Sequence, residues 1–345
     1  MDRQTEITTP GALLNEKGDL ARPGFSRALV QEYRRADVKV SPLRIKEWDY
    51  YLVNNGKFAL ALTVADNGYM GLDSVSLLDL EEGWEITKSP MSFLPLGKKH
   101  LPETSVTGDV HSAARGYGIH FIHEGEKRVL IAYMNKFGES ALSARVELTE
   151  CPEDSLVIAT PFDKPGHFYY NQKIVGFRAS GYVNYNGKTY TFEPSDSFAV
   201  LDWGRGVWTY ENAWYWAAAQ GYQDGRLVGL NLGYGFGDTS AASENMAFVD
   251  GVCHKLHLVD FGIPRRADGT YDYLAPWHMT DDEGRLDLVF TPQIDRTDNI
   301  DVANVIVSKQ HQVFGLLAGK IVLDDGSELC VRDLRGSAEH IYNRY

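Results

Sequence analysis

Residues 197–251 read SFAVLDWGRGVWTYENAWYWAAAQGYQDGRLVGLNLGYGFGDTSAASENMAFVDG. Trp214-Tyr-Trp leads through an Asp224-Gly225 turn into the apolar run RLVGLNLGYG, the pattern of a strand, a hairpin and a second strand. Four of the seven tryptophans (Trp203, Trp208, Trp214 and Trp216) fall in this stretch, with Asp202 and Arg205 set among them and Glu244 and Asp250 further on. Large aromatics bury much surface and their N–H groups want partners, whereas charges placed among them are costly to bury unless paired. The stretch therefore specifies β-structure and an aromatic-walled pocket with a few polar groups.

The same grammar extends outward. Runs at 49–53, 58–64, 74–80, 118–122, 128–134 and 144–149 are rich in β-branched or aromatic residues and bounded by Gly, Asn or Asp, as strands are. Residues 9–42 carry turn chemistry and little alternation, and 26–36 has the spacing of a short amphipathic helix with Leu29, Val30 and Tyr33 on one side. An internal echo sets the architecture. Trp48-Asp-Tyr-Tyr leads through a Gly56-Lys turn to FALALTVADNGYMG, matching the Trp214 segment and its hairpin. Residues 125–134 echo 283–292, and 177–192 echo 314–329. Matches in the same order point to a duplicated β unit. The expected organisation is an extension over 1–42, a first β-barrel domain over 43–205 and a second over 206–345. Barrel closure removes exposed strand edges.

Composition narrows the partners. The 345-residue chain has a net charge of −13, with no basic stripe for nucleic acid and no run apolar enough to span a bilayer. Its three cysteines, Cys151, Cys253 and Cys330, are widely spaced, with neither a disulfide framework nor zinc-ligand spacing. Neither a metal nor a cofactor is expected, the compartment is the cytosol, and integral membrane association is not expected. Gly233-Tyr-Gly235-Phe-Gly237 is not a dinucleotide fingerprint, because the strand–turn–helix setting is missing.

The block LDWGRGVW…WYW…GLNLGYGFGDTS…ENMAF.DG, with HFYYNQK and RIKEWDYY before it, resembles the bacterial domain-of-unknown-function family 2804 over nearly the whole chain. That family is similar to the AttH-like and carotenoid hydratase (hydroxyneurosporene synthase) group, whose members, like some fungal pericyclase-type enzymes, are built from two lipocalin-like barrels. The resemblance implies an all-β protein of two lipocalin-like (calycin-type) antiparallel barrels. The hydratases of that group use an acidic residue to protonate an alkene in an apolar cavity.

The candidate residues follow from the chemistry such a pocket needs. Asp202 and Arg205 lie in a Gly-flanked turn and read either as a structural ion pair or as an acid tuned by burial and a neighbouring cation. Glu244 and Asn245 follow a small-residue loop at a barrel rim, and Glu244 is the second candidate acid. Trp203, Trp208, Trp214 and Trp216 are the aromatic walls, each equally at home in a core. His167, Tyr169, Tyr170, Asn171 and Lys173 form a dense polar-aromatic run suited to another wall. Glu339 and His340 read as surface residues. Three readings stay open. The protein binds an apolar or amphipathic small molecule and performs cofactor-independent hydratase, lyase or isomerase chemistry on it; or it is a carrier; or it is a glycoside-processing enzyme using two carboxylates.

Overall fold

The computed structural model describes residues 4–302 and 306–344, with the backbone alone at 300, 302 and 306. Nearly every element is a strand; among the described residues the only helical turns are Arg35–Asp37 and Pro42–Arg44, both 3-10. Among the described residues no helix is long and apolar enough to cross a membrane. Two antiparallel sheets, of 14 and 9 strands among the described residues, curl into two lipocalin-like barrels.

The barrels share one topology. In the first, Lys46–Asn54 pairs on one side with Phe58–Asp66, which leads to Met70–Asp79 and Trp84–Lys88. On its other side it pairs with Phe198–Val207, followed by Phe168–Tyr185, Ser140–Thr149, Lys127–Phe137 and Tyr117–Glu124. The second repeats this around Glu211–Gln223. One side runs through Arg226–Tyr234, Met246–Val249 and Val252–Lys255, the other through Glu328–Arg344, Ile306–Val322, Leu286–Val302 and Trp277–Asp281. Trp48 and Trp214 each lie on the central strand of their barrel. The echo of 177–192 in 314–329 joins topologically equivalent hairpins. That of 125–134 in 283–292 is one strand out of step, since Leu286–Val302 corresponds in the sheet order to Ser140–Thr149. Alternating apolar residues mark a strand without saying which strand it is.

The expected helix over 26–36 is absent. Gly24–Ser26 instead adds to the edge of Leu156–Pro161, and Gln31–Glu32 pairs with Gly11–Ala12. The apolar spacing there reflects side chains packed onto the first barrel: Tyr33 is buried against Trp203, with Leu29 packed beside it.

Strand period two, in which neighbouring side chains leave on opposite faces, decides what each residue touches. DWGRG, expected as a turn, is the end of the strand Phe198–Val207. Leu201, Trp203 and Val207 enter the interior of the first barrel, while Val200 and Asp202 face outward into the seam between barrels. A separate apolar cluster, including Tyr50, Tyr169, Trp208, Trp216, Phe236 and Phe314, fills that seam. Gly204 lies opposite Trp48, and a Cβ at this position would fall inside the Trp48 indole. Glycine is thus the means by which Trp48 lies flat on the strand. Replacing it by Gly204→Ala should destabilise the protein by about 1–3 kcal/mol through overpacking, measured by urea denaturation; an unchanged midpoint would show that the indole moves aside freely.

Candidate functional site

Two cross-strand rows build the site. On the first barrel Lys173 stands opposite Asp202, and Asp202 opposite Tyr50. On the second, Arg296 stands opposite Gln312, Gln312 opposite Glu339, Glu339 opposite Trp216, and Trp216 opposite Gly233. Directly opposed residues put their side chains on one face about 5 Å apart, so each row is a ladder of neighbours. The ladders meet across the seam. The Lys173 ammonium sits 4.2 Å from the centre of the Trp216 ring. Gln312 Nε2 donates to Tyr50 Oη at 3.0 Å and to Glu339 Oε1 at 2.5 Å.

Asp202 is held here, but not by Arg205. Lys173 Nζ lies 2.8 Å from its Oδ2, and Asn171 Nδ2 donates to its Oδ1 at 2.5 Å. Both partners are donors, as an ionised carboxylate requires. Arg205 points into the first barrel, where it pairs with Asp49 at 2.9 Å and donates to the carbonyls of Trp48, Gly204 and Pro102. Residues 202 and 205, three apart on a strand, leave on opposite faces, which rules out the expected pair. Trp203 likewise lies inside the first barrel, under the Arg205 guanidinium. Tyr170 shares that interior and donates to the Gln31 carbonyl. These side chains belong to the buried cluster inside the first barrel.

Glu244 enters the seam from the loop before Met246–Val249. Asn231 Nδ2 donates to the Glu244 carbonyl at 2.7 Å, while Asn231 Oδ1 accepts from Trp216 Nε1 at 2.7 Å. Asn245 braces the loop, accepting from the Gly233 N–H and donating to the His257 carbonyl, and so is structural. The Glu244 side chain lies over Gly233, where a Cβ would come 2.8 Å from its Cδ. Burial pushes the Glu244 carboxyl up to about 7, further raised by Asp202 and opposed by Lys173 and Lys255. Glu339 is pushed up to about 7 in the same way, chiefly by burial, with Arg296 and Lys173 opposing. Its oxygens accept from Gln312 and, at 3.4 Å, from Trp214 Nε1.

An aromatic wall flanks the charges. Tyr169 lies parallel to Trp48, with ring centres 6.0 Å apart, and Trp48 meets Trp208 edge-on at 5.3 Å. Tyr169, Trp208 and Trp214 converge edge-on around Phe236 at 4.9, 5.5 and 5.4 Å. His167 is tied to the Pro165 carbonyl at 2.9 Å, and burial lowers its pKa. Buried polar atoms of the seam, among them Asn171 Oδ1, Gln312 Oε1, Ser337 Oγ and Trp208 Nε1, have no hydrogen-bond partner. Such atoms in a folded protein are met by water or a ligand. A cleft of about 230 Å³ opens further along the same seam, lined by Leu52, Val200, Ala218 and Gly336 and, at its outer part, by Asn54 and Arg335. Its inner residues follow Tyr50, Asp202 and Trp216 by one same-face step, about 7 Å along each strand.

The seam thus gathers Asp202, Lys173, Asn171, Tyr169, Glu244, Trp208, Trp214 and Trp216, and leaves Trp203, Arg205 and Tyr170 inside the first barrel. Tyr50, Phe236, Gln312 and Glu339 complete it. Glu339 is suggestive in the sequence but easily explained as a surface residue, and only the strand register sets it opposite Trp216.

These features belong to a double-barrel protein with a charged, aromatic seam. The chain belongs to the family described as domain of unknown function DUF2804, whose model matches residues 4–345. No match is found among curated proteins. Among solved structures it is similar to an AttH-like protein of Nitrosomonas europaea, with a TM-score of 0.54 at 14% identity over 91% of this chain and 97% of that one. Kievitone hydratase of Nectria haematococca gives a TM-score of 0.45 at 10% identity, covering 87% and 88% of the two chains. CghA gives 0.48 at 10% identity, covering 97% of each. At these identities the first likeness shows the shared fold alone.

The raised carboxyls have a consequence for stability. Between about 4.5 and 7 the folded protein keeps protons on Glu244 and Glu339 that the unfolded chain releases. The stability these groups contribute is therefore present at low pH, falls as pH rises through that window, and levels off above about 7. Glu244→Gln and Glu339→Gln should each flatten that slope and raise stability at alkaline pH by on the order of 1–3 kcal/mol. Urea denaturation across the pH range measures it; parallel wild-type and variant curves would place these carboxyls in water.

Proposed function

We propose that the seam between the barrels binds an apolar or amphipathic small molecule and performs cofactor-independent acid–base chemistry on it, of the hydratase, lyase or isomerase kind. The observation carrying this reading is the pair of buried carboxyls, Glu244 and Glu339, pushed to about 7 beside the fixed ion pair of Lys173 and Asp202. A carboxyl of that pKa exists in both protonation states near neutral pH, as a general acid or base must.

Roles follow from the hydrogen bonds. No described residue donates to the Glu244 side chain, which leaves it free to present its proton to a ligand double bond. Glu339, held by Gln312 and Trp214, is the counterpart that takes a proton from water or from the ligand carbon. In hydration, the Glu244 proton goes to one alkene carbon, water adds to the other, and Glu339 removes the proton released by that water. In isomerisation Glu339 removes a carbon proton instead. The face of Trp214 stabilises the positive charge that develops between the two steps, the Trp216 face being taken by the Lys173 ammonium. Asp202 and Lys173 set the field, and the neighbouring cleft gives room for the body of the ligand.

The test is native mass spectrometry of the protein with its copurified ligand, followed by incubation of that complex in D2O. Wild-type protein should retain the ligand and introduce deuterium at carbon, whereas Glu244→Gln should retain it and slow exchange by about 100-fold or more. Exchange at the wild-type rate in Glu244→Gln would remove Glu244 from the mechanism. Retention without exchange in the wild type would make the protein a carrier.

A further inference from the structure

Between Glu85 and Glu103 the chain reads ITKSPMSFLPLGKKHLP, with Lys88, Lys98, Lys99 and His100 and no acid, in a protein whose net charge is −13. The same stretch carries the most exposed large apolar side chain among the described residues. Phe93 is 88% exposed, and Met91, Leu94 and Leu96 lie between 37% and 56%. A single exposed leucine is ordinary, whereas four large apolar side chains in a span of six residues make a patch.

The backbone is built to hold these side chains outside. Met91–Phe93 pairs with the start of Met70–Asp79, setting Ser92 opposite Gly71. Ser92, Lys99 and Pro95 close on Gly71, where a Cβ would come 2.4, 2.7 and 3.4 Å from them. Met91 and Phe93 therefore leave on the face away from Gly71. Pro95 is buried, while Leu94 and Leu96 on either side of it take left-handed φ values of 52° and 51°, a region bulky side chains avoid. Their N–H groups are pinned to the carbonyls of Tyr69 and Gly68 at 3.0 and 3.2 Å. Exposed Leu43 comes from a turn whose carbonyl also packs on Gly68.

The rim of this tip is positive. Asp73 is neutralised by Lys99 at 2.7 Å, and buried Asp66 accepts from the N–H groups of Gly68 and Gly97. Lys88 and Lys98 are exposed and make no ion pair with a described residue. Leu94 is bonded to Tyr69, whose ring shares the Lys46 ammonium, at 4.4 Å, with the Trp208 ring, at 5.7 Å. The tip thus borders the aromatic wall of the seam.

We propose that this tip docks the protein on an anionic lipid surface, its apolar side chains entering the headgroup boundary while Lys88 and Lys98 meet lipid phosphates. A stable protein interface takes roughly 20–30 residues a side, far more than this tip offers. A fluid bilayer needs only protruding apolar side chains and flanking cations. A second copy would bring the same cations to the contact and a like net charge behind them. Docking turns the aromatic end of the seam toward the membrane, where an apolar ligand of the kind proposed above resides. The docking itself does not depend on the seam chemistry.

Flotation of the full-length chain with vesicles of phosphatidylcholine and phosphatidylglycerol in equal parts tests this, against vesicles of phosphatidylcholine alone, at low and high salt. Wild-type protein should bind the mixed vesicles about tenfold more tightly than the neutral ones, and salt should remove the difference. Phe93→Ser and Lys98→Glu, both at exposed positions, should each weaken binding to the mixed vesicles by about tenfold or more. Leu274→Ser, which removes an exposed leucine of the second barrel, should change nothing. Wild-type protein that does not float with the mixed vesicles, an equal loss in Leu274→Ser, or binding that survives both tip variants would overturn the proposal. So would a concentration-dependent dimer in sedimentation velocity that Phe93→Ser dissolves, because a second copy would then cover the tip.

Discussion

The ion pair between Lys173 and Asp202, sealed between two barrels, is the constraint around which the seam is arranged. Neither charge can be buried alone, since removing one partner of such a pair typically costs about 3–5 kcal/mol. Lys173 is accordingly met by Asp202 and the Trp216 face, and Asp202 by Lys173 and Asn171. Every further carboxyl admitted beside the pair feels its field. Glu244 and Glu339 are raised chiefly by burial and by Asp202, and Lys173 restrains both. One fixed pair thus leaves two adjustable acids.

Packing explains why this cluster can exist at all. The outer face of a single barrel is wet, and charges on it would be solvated and chemically ordinary. Here the second barrel covers that face. Lys46–Asn54 and Phe198–Val207 are consequently buried on both faces, whereas Ser140–Thr149, away from the seam, alternates between buried and accessible. The small residues of the quoted stretch serve the same closure: Gly204 admits Trp48, and Gly233 admits the Glu244 carboxyl.

Much of this was legible in the sequence and some was not, for identifiable reasons. Alternating apolar residues, turn glycines and the echoed tryptophan hairpins suffice for an all-β duplicated architecture, because they depend only on local chemistry. Lys173, Asn171, Tyr169, Glu244, Trp214 and Trp216 could be singled out because polar groups among aromatics are costly anywhere. The pairing of Asp202 could not be inferred once DWGRG was read as a turn. On a strand, the three-residue spacing sends Arg205 to the opposite face, and Lys173 is brought in by a pairing 29 positions away. Glu339 was illegible for a related reason. It resembles a surface glutamate until the register sets it opposite Trp216 and Gln312.

Period two also divides the chemistry of the second barrel. Along Glu328–Arg344, Ser337 and Glu339 serve the seam, while Ala338 and His340 serve the interior. The same alternation on Ile306–Val322 gives Gln312 to the seam and His311 to the interior. A shift of one residue in either pairing would exchange acids for imidazoles on both faces at once, so neither face can lose its polar groups alone by a slip. The bulges on these strands, between Pro292 and Ile294 and between Leu317 and Gly319, lie on the far side of His311 and Gln312 from the hairpin joining Leu286–Val302 to Ile306–Val322. They absorb the barrel's curvature without disturbing the register of the rows that carry the polar groups.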